Sequence, residues 1–171
     1  DLKSNLISTF SDNQMFIHLD EILIENWVFI GLDSCIEGKD FGNLSDSELK
    51  KAEIIIDKAK KLNKNCAIIT HHHPLYVGTP LIDDCPIING YDLVNLIEKN
   101  NHIKLLITGH VHNRYSTPIG NNAFLETGFS TFAQFQYGGS NELTDIDKDN
   151  FGYTYYDLNE NSYKCYSILV N

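Results

Sequence analysis

The sequence predicts an α/β fold: a mainly parallel, mixed sheet with flanking helices, followed by an antiparallel C-terminal part. Three observations carry this expectation. From Trp27 to His110, short apolar runs alternate with amphipathic stretches of helical period, an order that requires βαβ crossovers. The first run, Trp27 to Leu32, is nearly all apolar, as a strand buried on both faces is. Beyond His112 the texture changes to alternating aromatic and polar residues around Asn- and Gly-containing turns.

The elements follow in order. Leu2, Leu6, Ile7 and Phe10 have helical spacing. EILIENWVFIGLDS reads as two strands joined by a tight turn at Glu25-Asn26. Ser45, with Glu48 three residues later, forms a capping box, and Leu44 can staple the entry of the helix. Leu49, Ala52, Ile55, Ile56, Ala59 and Leu62 form its apolar stripe, and lysines 50, 51, 58, 60, 61 and 64 its solvated outer face. CAIITHH is a third strand, YDLVNLIEKNN a second helix with Leu93, Val94 and Ile97 inward, and IKLLITGH a fourth strand. Hairpins are expected around Gly120-Asn121 and Asn159–Asn161, separated by the long polar connection QYGGSNELTDIDKDN. There is no internal repeat, and 171 residues suit a single domain with an ordinary core.

The bulk composition excludes several classes. A net charge of −10 argues against a nucleic-acid polymer or an anionic membrane as partner, since both need a basic face. No apolar run approaches the ~20 residues of a membrane span. Cys35, Cys66, Cys85 and Cys165 form no CxxC pair, so a zinc knuckle is not expected. With no signal peptide in view, reduced thiols and a cytoplasmic location are expected. The chain opens DLKSNLISTF without a methionine, which suits a processed or cut end.

The chemistry concentrates at two strand ends. CAIIT runs into His71-His72-His73-Pro74, and IKLLIT into Gly109-His110-Val111-His112. In an open parallel sheet, ligand sites lie at the carboxyl ends of strands, so two strands deliver imidazoles to one rim. In extended chain His110 and His112 would project to the same side, whereas consecutive histidines alternate, so one or two of His71, His72 and His73 would face the site. Imidazole suits a divalent ion of the zinc, iron, nickel or manganese kind. His18 and His102, alone in their surroundings, read as structural, and Asp33 and Ser34 as rim residues.

HHHP followed by GHVH resembles the C-terminal half of calcineurin-like metallophosphoesterases, most closely the class III cyclic-nucleotide phosphodiesterase branch. WVFIGLDS, GNLSDSEL, LIDD with Asn89 downstream, HIKLLITGHVH and TGFSTFAQFQ support the likeness, which covers Trp27 to Gln136. The resemblance implies a four-layer αββα sandwich, of which residues 1–171 would form the C-terminal portion. It also implies two divalent ions of the manganese, iron or zinc class. His72 and His110 would hold one and His112 the other, while His73 would lie near the phosphate of a small phosphodiester, a 3′,5′-cyclic nucleotide in that branch.

The family's DxH, GDxx and GNH[DE] motifs do not occur here. Asp1 would be the last residue of the GNH[DE] motif, and the catalytic residues of that half are expected upstream of it. Two ions held close together need a bridging carboxylate. The chain alone is therefore expected to be inactive, to bind at most one ion weakly, and to pair with its missing half or a second copy. Two rivals stand beside this reading. One is a non-catalytic binding or regulatory module of the same fold. The other is a mononuclear hydrolase using the three ligand histidines with an acidic residue such as Asp33 or Asp83.

Overall fold

The computed structural model describes residues 19–137 and 146–170. The helical spacing of the first ten residues, His18 and most of the polar connection lie outside them. A six-stranded mixed sheet has the order β1-β2-β3-β4-β6-β5, built from Glu21–Ile24, Trp27–Gly31, Asn65–Thr70, Ile103–Thr108, Ala123–Thr127 and Ser116–Ile119 respectively. Strands β2, β3, β4 and β6 run parallel, while β1 and β5 close the two sides antiparallel.

The first hairpin is as expected. Ile24 pairs with Trp27, and Glu25 takes a left-handed φ of 49° in the two-residue turn. Helix α1 (Asp46–Lys61) follows β2, with Ser45 as N-cap accepting from the Glu48 amide. The Glu48 carboxylate does not fold back on the cap. It accepts from the Asp33 amide at 2.8 Å and meets Lys51, which ties the helix start to the end of β2. Of the predicted stripe, Ala52, Ile55, Ile56 and Ala59 are buried, whereas Leu62 ends the helix in solvent.

After β3 come a one-turn helix, α2 (Pro80–Asp83), and α3 (Gly90–Glu98), which buries Leu93, Leu96 and Ile97. Both crossovers from β2 to β4 are helical, as the alternation of patterns requires. The main core lies between the sheet and helices α1 and α3, centred on Ile30, Ile56, Ile68, Leu93 and Leu106.

The sheet's opposite face is covered by a ribbon of β9 (Phe151–Leu158) and β10 (Tyr163–Val170), paired antiparallel from Leu158–Tyr163 to Phe151–Val170. Tyr156, Leu158 and Tyr163 of the ribbon pack on Trp27, Ala67 and Leu105. The Trp27 indole N–H donates to the Asn159 carbonyl in the ribbon's turn at 2.7 Å. Two short strands, β7 (Gln134–Phe135) and β8 (Ile146–Asp147), form a separate pair. The four cysteines are free. Among the described residues, no helix is long and apolar enough to cross a membrane.

Candidate metal centre

Strands β3 and β4 lie side by side with Thr70 opposite Thr108, so both leave the sheet at the same rim. The two ends are then tied together. The His71 carbonyl accepts from the amides of Gly109 and His110 at 3.1 and 2.9 Å. The Thr70 hydroxyl donates to the His72 carbonyl at 2.8 Å and bends the chain immediately after the strand.

The bend removes the side-chain alternation assumed from sequence. The rings of His71, His72 and His110 cluster, with centroids 4.7–5.0 Å apart. One ring nitrogen from each lies within 4.8 Å of the other two. His71, which the resemblance gives no role, is a full member of this group, and its Nε2 is 3.2 Å from His110 Nδ1.

The remaining predicted residues sit differently. His112 follows β4 in a turn with φ of 51°, not in extended chain. Its ring lies by the Ala133 backbone and stacks on Phe135 with centroids 4.9 Å apart, outside the group of three. His73 is fully buried. Its Nε2 is 3.5 Å from the Asp83 carboxylate, longer than a hydrogen bond, and both of its ring nitrogens lack hydrogen-bond partners. Asp83 instead accepts from the amides of Val77 and Gly78, and Asp33 from that of Cys35. Among the described residues, no carboxylate belongs to the imidazole group.

Neighbouring groups dictate the state of His72. Its Nε2 is 3.2 Å from the Asp40 carbonyl, which can only accept, so Nε2 carries the proton. Nδ1 then holds the lone pair and accepts from the Ser34 hydroxyl at 2.9 Å, while Ser34 Oγ accepts from the His72 amide. Ser34, a rim residue in the sequence reading, is thus buried and orients His72. Gly42 is equally involved, because a Cβ there would meet His72 Nδ1 at 2.7 Å and the Ser34 carbonyl at 2.8 Å. Asn89 clamps this loop by exchanging hydrogen bonds with both backbone groups of Leu44. Ser34 and Gly42 lie in the WVFIGLDS and GNLSDSEL stretches, but no local pattern pairs them with His72, which lies thirty or more residues further on.

Burial depresses all five imidazoles of the two strand ends. His110 falls to about 3, through desolvation and then repulsion from the imidazoles around it. His73 falls to about 4, mainly through desolvation. His71, His72 and His112 are lowered by the same leading cause. Neutral imidazoles are the form that binds metal, and one ring nitrogen from each of His71, His72 and His110 is within reach of a common ion. The donors therefore fit a divalent transition ion of the zinc, iron or manganese kind.

No protein-family model matches the chain. Curated proteins do. The chain is 32% identical over 114 residues to a probable cyclic nucleotide phosphodiesterase of Xenorhabdus bovienii, covering 66% of this chain and 45% of that protein. It is 31% identical over 121 residues to the 3′,5′-cyclic adenosine monophosphate phosphodiesterase of Escherichia coli K12, covering 71% of this chain and 43% of that one. It is 34% identical over 102 residues to a probable glycerophosphodiester phosphodiesterase of Arcobacter nitrofigilis, covering 59% and 36%. The chain therefore spans less than half the length of these relatives. Among solved structures, a dimetal phosphatase from Danio rerio aligns with 75% of this chain and 54% of its own, with a TM-score of 0.48 and 11% identity.

Proposed function

We propose, for a chain whose relatives place it with the calcineurin-like metallophosphoesterases, that the protein it belongs to hydrolyses phosphodiesters in a metal-dependent reaction, with a 3′,5′-cyclic nucleotide as substrate. The observation that carries this reading is the convergence of neutral imidazoles from two neighbouring strand ends on one rim. The bond that is broken is inferred from the relatives, which are named as cyclic-nucleotide phosphodiesterases.

In this reading His72 and His110 would hold one ion and His112 a second, with the Phe135 ring stacked on His112 fixing its orientation. His73 contacts the phosphate, which requires the loop around Asp83 to open, because its ring is buried in the present arrangement. A bound pair of divalent ions supplies Lewis-acid polarisation of the phosphoryl oxygens and a water of lowered pKa. The chain's own residues position these groups. Ser34 and the Asp40 carbonyl fix the tautomer of His72, and the His71 carbonyl locks the two ligand-bearing turns to each other.

The carboxylates that two ions require would come from outside this imidazole group, so the 171-residue chain alone would be inactive. The test is hydrolysis of bis-p-nitrophenyl phosphate and of cyclic AMP with added manganese. A full-length protein should turn both over and should lose at least about 100-fold in His110→Ala, a loss in the range of transition-state interactions. A metal-loaded full-length protein that cleaves no diester overturns the reading. Enzyme-like turnover by the 171-residue chain overturns the shared-site part of it.

A further inference from the structure

We propose that His71, His72 and His110 form a three-imidazole site for one divalent transition ion, with His71 as a direct ligand. The proposal deepens the metal-dependent reading and shares His72 and His110 with it. Its new element is His71, which neither the sequence motifs nor the family resemblance assigns to a metal.

Nitrogens bound to one tetrahedral ion at about 2.0–2.1 Å lie about 3.4 Å apart. His71 Nε2 and His110 Nδ1 already stand 3.2 Å apart, close to that spacing without an ion between them. The third imidazole has a ring nitrogen within 4.8 Å of both, so a small side-chain shift brings it in. His72 would exchange either its Ser34 or its Asp40 contact for the ion.

The His71 carbonyl takes the amides of Gly109 and His110, so the backbones carrying the two rings move as one unit. A site held by backbone hydrogen bonds across two strands is preorganised for a ligand. His112 does not compete for this position, because its ring stacks on Phe135 and lies outside the group of three.

His71 is the exposed member of the group, so an ion enters from its side. Where His71 supplies the hydrogen between the two rings and His72 binds through Nδ1 in place of its Ser34 contact, loading needs only that the His71 proton move from Nε2 to Nδ1, and no proton leaves the protein. Three nitrogens leave at least one coordination position open to water or an oxygen ligand, as catalytic zinc sites do.

Metal binding by the 171-residue chain tests this, with zinc and cobalt titrations, the visible bands of bound cobalt, and X-ray absorption to count imidazoles. One ion with three imidazoles is expected. His71→Ala should weaken zinc binding at least tenfold and lower the count by one. His71→Gln, which keeps an exposed polar side chain, should show the same loss, so a folding defect in the alanine variant does not decide the matter. His102→Ala, on a ring bonded to the Lys64 carbonyl, should change neither readout.

Restoration of affinity by glutamine would reduce His71 to an orienting residue and overturn the proposal. So would a lower imidazole count in His112→Ala but not in His71→Ala. Diester turnover by the full-length protein is read separately. Lost turnover with three imidazoles bound sinks only the hydrolase reading, and turnover with an unchanged His71→Ala count sinks only this one.

Discussion

The carbonyl of Asp40 can only accept a hydrogen bond, and that fact sets the proton on His72 Nε2 and the lone pair on Nδ1. Everything around this ring is fitted to it. Gly42→Ala would place a methyl carbon 2.7 Å from Nδ1 and 2.8 Å from the Ser34 carbonyl, and the carbonyl cannot swing away. The ring should turn and zinc affinity should fall about 10–100-fold, the range for disturbed supporting residues, as read by competitive titration.

The same site imposes a pH dependence. His110 and His73 titrate in the fold at about 3 and about 4, below the value of about 6.5 for an unfolded chain. Above pH 6.5 both states are neutral and nothing is lost. As pH falls from 6.5 towards 4, the unfolded chain binds protons that the fold refuses, so stability declines. In metal-free buffer the melting temperature should drop through that window, and His110→Gln should flatten the drop. An unchanged melting temperature between pH 6.5 and 4 would contradict the burial argument.

At the scale of the elements, two contacts position the rim and can be tested without metal. Ser45 caps α1, and Ser45→Ala should destabilise the protein by about 1 kcal/mol in urea unfolding. Gly90 opens α3 directly behind the histidine turn, where a Cβ would stand 2.3 Å from the Pro74 carbonyl oxygen and 2.8 Å from Pro74 Cα. Both obstacles are backbone, so Gly90→Ala must push the helix off the turn. An overpacking loss of about 1–3 kcal/mol is expected, with weaker zinc binding as a second readout.

The helical crossovers, the two C-terminal hairpins and the three parallel runs between Trp27 and Thr108 were readable from period and turn chemistry. The parallel pairing of β6 with β4 was not, because strand direction depends on which distant strand is met. Nor were the meeting of His71 with His110 and the departure of His112 from extended chain. Alternation holds only while the chain is extended, and the chain bends at both strand ends.

For the whole molecule, the outer face of the β9–β10 ribbon carries Phe151 beside Val170, Tyr153 beside Ile168 and Tyr155 stacked on Tyr166, all substantially exposed. A contiguous apolar face of this kind marks a contact surface. It fits the proposal that the chain works against a further part of its protein or a second copy. Tyr153→Lys with Ile168→Glu should lower the self-association of the 171-residue chain in light scattering and leave the β9–β10 pairing intact. Unchanged association would place the contact elsewhere.

The sequence by itself determined the succession of elements, the amphipathic faces of the helices, and the arrival of two histidine-bearing strand ends at one rim. These are local or periodic properties, carried by neighbours three or four residues apart. Only the tertiary structure decided which imidazoles meet. It drew His71 into the cluster, turned His112 towards Ala133 and Phe135, buried His73, and set Ser34, Asp40 and Gly42 around His72. Those outcomes depend on bends at the strand ends and on hydrogen bonds between residues more than thirty positions apart. No periodic pattern encodes such contacts.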